Sequence, residues 1–174
     1  MEPGSIIVRG VQMLWIVLLV ALLGNVISDN NNGHMSAINY ALFATIIAWV
    51  ACLLGIASGF IGFLSGGIFT YALIALDALA ILFTFVAAIV LPAKLKAVDC
   101  GGDLSVAKRG SGWIGFGSED VEKRCRELQA STVFMWFLFF TLAGSLALGV
   151  ITGRRSFGGS SGGSSAPHMS QVRV

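Results

Sequence analysis

One carboxylate dominates the chemistry available to this chain. Asp77 lies inside Gly67–Leu91 (GIFTYALIALDALAILFTFVAAIVL), a run that is otherwise apolar except for two threonines and a tyrosine. A carboxylate in such a run can bond a neighbouring helix, meet a lipid headgroup, or titrate as part of an ion or proton path. As a helix, about 25 residues span roughly 36 Å, enough to cross the hydrocarbon core of a bilayer. An aspartate near the middle costs about 2.5–3.5 kcal/mol on the insertion scale, while each Leu, Ile, Val or Phe returns roughly 0.3–0.6 kcal/mol. Fourteen such residues surround it, so the run still inserts with its charge.

Other reactive types are scarce. Cys100 and Cys125 bracket a polar stretch and are suitably placed to bridge, which needs an oxidising compartment; two unpaired thiols are the alternative. Gly110, Gly112 and Gly115 in GSGWIG match GxGxxG formally. No preceding strand or βαβ pattern supports a nucleotide site there. Trp113, Ile114 and Phe116 read instead as a loop tip resting on the bundle or the membrane surface. His34 and His168 are far apart, the cysteines lack metal-ligand spacing, and no Ser/His/Asp arrangement is present. The expectation is no catalytic residue, no metal and no cofactor.

The elements that must position Asp77 follow from composition. The chain has 174 residues, 56% hydrophobic and 11% charged, where soluble domains carry about 25% charged residues. Between Ala37 and Leu91 the only charge is Asp77. This pattern predicts an integral membrane protein and excludes a soluble enzyme. A net charge of +2 with no basic, aromatic-interleaved patch gives no reason to expect nucleic acid as a partner. Four spans are predicted, at about 6–27, 37–58, 67–91 and 128–151, with a long loop at 92–127. The first is read as a retained span, because its apolar stretch exceeds a signal peptide's and no small-x-small cleavage site follows it. The spans form one domain, 1–152, and the Gly/Ser-rich 153–174 is read as a disordered tail.

Within the spans, Asn39 and Tyr40 start the second at headgroup level. Gly55 and Gly59 form a GxxxG, which serves tight packing within the chain or a dimer contact. Cys52 reads as a small packing residue. Ser145 and Gly149 give the fourth span a second small-residue pair. Ser156 follows Arg154 and Arg155, so its phosphorylation would set negative charge beside them. The long loop holds thirteen of the twenty charged residues, seven of them basic. A positive-inside count therefore favours a cytosolic loop, whereas a disulfide would require the loop outside.

Arg9-Gly10 with Gln12, Asn39-Tyr40 with Phe43, Leu76-Asp77 with Phe83 and Phe85, Arg124-Cys125-Arg126 with Gln129-Ala130, and Ser170-Gln171-Val172 occur in an order and spacing that resembles the fungal non-classical export protein family. These are four-span proteins with a MARVEL domain. The resemblance runs over nearly the whole chain, although Trp113–Glu122 is an insertion that lengthens the loop. It implies an all-α, antiparallel four-helix transmembrane bundle of MARVEL type, with cytosolic termini and loops outside. An outside loop in turn favours the Cys100–Cys125 bridge. It also implies residence in furrow-like, eisosome-associated plasma-membrane domains, a role in organising them, a response to sphingolipids, and no enzymatic activity. The implied partners are lipids of a sphingolipid-rich domain, eisosome-type peripheral membrane proteins and further copies of the chain.

Three roles remain for Asp77. In the first it is a protonated buried group bonded to another helix, with Gln12 and the Trp49 indole as expected partners. In the second it senses a lipid headgroup or the state of the membrane. In the third it carries a proton or cation in a small transporter or channel subunit.

Overall fold

The computed structural model describes residues 3–31, 35–60, 68–96, 99–102 and 113–158, and for residues 3, 5, 68 and 151–158 the backbone alone. His34, Gly110 and Gly112 lie outside the described residues, as does the side chain of Ser156. Four helices make up the fold: α1 (Pro3–Ser28), α2 (Ser36–Phe60), α3 (Ile68–Leu95) and α4 (Val121–Gly158). No strand occurs among the described residues. Each helix is long and apolar enough to cross a membrane. Short connections make α1, α2 and α3 antiparallel in turn, the long loop brings α4 back beside α3, and α1 packs on α2, α2 on α3, α3 on α4 and α4 on α1. The result is a closed ring of four helices, the all-α four-span bundle expected from sequence.

Small side chains draw two of the helices together. The inner face of α2 is mostly small, with Ala37, Ala41, Ala44, Ala48, Ala51 and Cys52 beside Ile38 and Thr45, and α3 buries Ala80, Ala87 and Ala88 along with Asp77, Thr84, Leu91 and Leu95. Steps of three and four residues keep this alanine row on one face, and small residues let backbones approach in lipid. By contrast, α1 and α4 bury Ile16, Leu19, Leu23, Leu128, Met135, Leu138 and Leu142. Within the chain the buried small residues of α2 and α3 are thus mostly alanines. Gly59 and Gly149 are exposed, and the space around Gly149 is open. Gly55 and Ser145 have other uses, described below.

The helix ends also differ from the sequence reading, and capping explains why. Pro92 was expected to open the loop, yet α3 continues past it. Lys96 then takes a left-handed conformation (φ 60°) and donates its N–H to the Pro92 carbonyl at 2.9 Å, closing the helix in the manner of an αL cap. α4 starts at Val121 rather than near 128, because Asp120 is its N-cap. The Asp120 carboxylate accepts the Lys123 N–H at 3.0 Å, and Glu122 adds a favourable charge in the first turn. At its far end α4 runs on to Gly158, so the expected tail begins with helical residues.

The loop end is fastened by two capping side chains and a crosslink. Trp113 is buried, and its indole N–H donates to the Leu95 carbonyl at 2.9 Å. It thereby satisfies one of the orphan carbonyls at the end of α3. Gly115 permits this, since a side chain there would overlap the Trp113 ring. Ile114 is buried too, whereas Phe116 is exposed; the loop tip rests on the bundle through its first two apolar residues. Arg124, only 2% exposed, donates to the carbonyls of Val26 (2.9 Å) and Ile114 (3.2 Å) and contacts Met35 Sδ at 3.5 Å. It caps the end of α1 as Trp113 caps α3. Cys100 and Cys125 are joined in a disulfide with a Cα–Cα distance of 5.7 Å. Gly117, at φ 113°, turns the chain so that its carbonyl accepts the Asn31 N–H at 2.7 Å.

Candidate functional site

At the opposite end, where α1 and α3 begin and α2 and α4 finish, a polar network occupies the bundle interior. Asp77 is nine residues into α3, about 13 Å from its start, and Arg9 is six residues into α1, about 9 Å from its start. Arg9 reaches across the ring to Asp77: Nη2 donates to Oδ2 at 2.6 Å and Nη1 to Oδ1 at 3.1 Å. This is a two-pronged guanidinium–carboxylate pair, the strong form of such a contact. The two side chains are 15% and 12% exposed. α1 and α3 are diagonal partners whose backbones do not pack together, so the long arginine side chain alone joins them here.

The network continues into the other two helices. Arg9 Nη1 also donates to Gln12 Oε1 at 3.2 Å, as the three-residue spacing on one helix face allows. Gln12, fully buried, turns its amide Nε2 to α4, donating to the Thr141 carbonyl at 3.0 Å and to Ser145 Oγ at 3.1 Å. Ser145 in turn donates to the Leu142 carbonyl at 2.9 Å. From α2, the Cys52 thiol donates to the Arg9 carbonyl at 3.4 Å. Gly55 sits directly beneath the guanidinium: a Cβ there would lie 2.7–2.9 Å from Cζ, Nη2 and Nε of Arg9. The glycine read as half of a helix-packing motif is thus the floor of an arginine site.

Several sequence expectations are corrected here. In the first of its three roles Asp77 was to be a neutral group with Gln12 and Trp49 as partners; it is ion-paired with Arg9, and Gln12 reaches it only through that arginine. Trp49 is 40% exposed. With Ala48, Ala51 and Cys52 turned inward, the helical period turns residue 49 outward. Asn39 is exposed. Tyr40 ties α2 to α3 through rings 6.5 Å apart with Phe83 and a 3.5 Å bond to the Phe83 carbonyl. Both lie some 20 Å along α2 from Gly55, so neither joins Asp77. Asp77, Gln12, Ser145 and Gly55 do converge.

Arg9 was not singled out by the sequence reading, because it falls at the start of the first predicted span and Asp77 near the middle of the third, at different depths. The available signal was charge accounting. Arg9 is the only cation in the first predicted span and Asp77 the only charge in the next two, and an unpaired charge at that depth is costly.

The charges in this arrangement are paired with each other. No group of three or more metal-ligating side chains occurs among the described residues. Deeper in the bundle, the hydroxyls of Thr45, Thr84 and Ser131 bond carbonyls of their own helices. Among the described residues, the one buried side-chain polar atom with no hydrogen-bond partner is Trp15 Nε1. The Trp15 ring stacks on Phe134, with centroids 5.7 Å apart.

Comparison with known proteins fits this bundle. The family model described as the MARVEL membrane-associating domain matches residues 3–148, which take in all four spans nearly to their ends. This chain belongs to the MARVEL family. It is also similar to Non-classical export protein 2 of Saccharomyces cerevisiae (strain ATCC 204508 / S288c), with 29% identity over 136 residues that cover 75% of this chain and 70% of that protein. No solved structure matches. The resemblance read from scattered residue pairs therefore stands. The chain is a multi-pass MARVEL membrane protein with one disulfide, and the Arg9–Asp77 network is a feature of its terminus end.

Proposed function

We propose that this MARVEL protein is a non-enzymatic organiser of a lateral plasma-membrane domain. In this reading both termini are cytosolic and the disulfide-bonded loop is outside. The partners are sphingolipid-rich membrane, eisosome-type peripheral proteins and further copies of the chain. The Arg9–Asp77 network is its lipid-responsive element. The observation that carries the reading is the closed network: four helices share one charge-paired cluster at the terminus end of the bundle, in a protein without a reactive constellation among its described residues. The disulfide supports the orientation, since it requires the oxidising side of the membrane. Membership of a membrane-associating family, and the likeness to a non-classical export protein, support the general class.

The competing transporter reading has less support. Asp77 is held by a permanent cation, which opposes passage of another. The hydroxyls deeper in the bundle are turned back on their own helices rather than lining a path.

The test is to image a tagged full chain before and after sphingolipid synthesis is blocked, as wild type and Asp77→Asn. Immobile plasma-membrane patches that disperse on depletion are expected. The variant should still reach the membrane but respond less. A uniform internal-membrane signal sinks the organiser reading. Proton-coupled flux in liposomes that disappears with Asp77→Asn would replace it with the transporter.

A further inference from the structure

A crevice of about 490 Å³ opens between the end of α3 and the first turns of α4, at the loop end and on the outside of the bundle. Its size falls in the range of ligand pockets. Pro92, Leu95 and Val133 give it apolar walls, and Arg126, Gln129 and Thr132 stand along the same cleft. The arrangement has a direction. Arg126 and Gln129 belong to the polar start of α4, while Val133, a turn further on, faces the hydrocarbon and is half exposed. Pro92 and Leu95 close the apolar span of α3, so the cleft straddles the boundary between headgroups and acyl chains in the loop-side leaflet. Lys94 and Lys96, both exposed at the end of α3, make this corner basic.

We infer that this crevice is a binding site for a single phospholipid with a net negative headgroup. The guanidinium of Arg126 takes a phosphate oxygen, the Thr132 oxygen, whose hydrogen is donated to the Leu128 carbonyl at 2.9 Å, accepts from a headgroup hydroxyl, and the upper acyl chain lies along Pro92, Leu95 and Val133. Arg126 is free enough to do this. Its recorded ion pair, Nη2 to Glu122 Oε1 at 2.5 Å, joins two exposed side chains one helical turn apart. Such surface pairs are weak, and a guanidinium has five donors to share. A lipid is the occupant because the cleft opens sideways at bilayer depth, where only lipid is at hand, and charge complementarity selects an anionic one. The site lies at the opposite end from Arg9–Asp77, so it stands whether or not the chain organises a membrane domain.

The test is native mass spectrometry of the detergent-released full chain titrated with phosphatidylglycerol, phosphatidylcholine or inorganic phosphate. Wild type should retain phosphatidylglycerol about tenfold more tightly than phosphatidylcholine, because both offer a phosphate oxygen but the choline cation of the second is repelled by Arg126 and the neighbouring lysines. Arg126→Gln should erase that preference, whereas Lys123→Gln should keep it. Val133→Trp, which fills the cleft from its exposed wall, should lower retention of both lipids with circular dichroism and the disulfide unchanged. Equal retention of the two lipids by wild type overturns the inference, as does equal loss in Arg126→Gln and Lys123→Gln. Undiminished binding by Val133→Trp also overturns it. Displacement of the lipid by inorganic phosphate alone would make the site a phosphate site and overturn the commitment to lipid.

Discussion

Each end of this bundle buries an arginine, and the two are treated differently. Arg124, at the loop end, is surrounded by backbone: two carbonyls and a methionine sulfur receive its donors, next to a disulfide and a capping indole. Arg9, at the terminus end, depends on side chains: a carboxylate on the diagonal helix and an amide on its own. Carbonyls at a helix end are fixed in place by the helix that presents them, whereas a carboxylate–guanidinium pair has other partners to choose from, in water or among headgroups. The loop end is therefore a clasp, and the terminus end a contact that can be exchanged. The membrane response proposed above is assigned to the exchangeable end, away from the clasp.

The largest expected effect tests the clasp. Arg124→Met retains much of the side-chain bulk but leaves the Val26 and Ile114 carbonyls without their donor in a buried site. About 2–6 kcal/mol of stability should be lost, since each of the two buried carbonyls left without a donor costs about 1–3 kcal/mol. Thermal unfolding in detergent measures it. A change below about 1 kcal/mol would mean that water replaces the arginine and that the loop end is not a clasp.

Next is the crosslink itself. Cys100→Ser opens a bridge spanning 25 residues of sequence, which the chain-entropy relation values at roughly 3.5 kcal/mol. Reductant should lower the wild-type melting temperature and leave the variant unaffected. The comparison sharpens if hydrogen exchange rises at 113–125 and not around Arg9 and Asp77. Exchange rising equally at both ends would join them into one cooperative unit and dissolve the distinction.

How much of this was legible in the sequence differs between the two ends. The four spans followed from hydropathy alone, because a bilayer admits few alternatives to apolar helices of this length. The Cys100–Cys125 pair could be raised as a possibility, since cysteines are few. The capping roles of Trp113 and Arg124 could not be read, because caps join residues distant in sequence, and nothing in the local pattern around either says which carbonyl it will find. The alanine row of α2 was legible and passed over: Ala37, Ala41, Ala44, Ala48 and Ala51 carry the helical period as plainly as Gly55 and Gly59 carry GxxxG. At the terminus end Asp77 stood out by its surroundings, but its partner depended on relative depth. Span boundaries uncertain by a few residues shift that depth by several ångströms, enough to separate Arg9 from Asp77 on paper.

The exchangeable end should show a middle-sized effect with strong coupling. Arg9→Gln and Asp77→Asn each leave one charge unpaired, and each should cost about 2 kcal/mol, less than the loss at Arg124 because both groups lie within reach of the membrane surface. Together they remove both charges, so the double variant should cost less than the sum, with an interaction energy of about 1–2 kcal/mol in a double-mutant cycle. Additive losses would show that the two side chains act separately in the bilayer.

Gly55→Ala should have the smallest effect, and its sign carries the information. Alanine favours helix over glycine by about 0.8–1 kcal/mol, so at an indifferent position the change stabilises. At Gly55 the new methyl would lie 2.7–2.9 Å from the guanidinium of Arg9, which the Asp77 carboxylate holds in place and which must move away. That strain should cancel the helical gain, leaving wild type unchanged or slightly destabilised. In an Arg9→Gln background the shorter side chain vacates the space, and the same substitution should stabilise by up to about 1 kcal/mol. Opposite signs in the two backgrounds would make Gly55 the floor of an arginine site. The same destabilisation in both would return it to the helix-packing role that its spacing to Gly59 first implied.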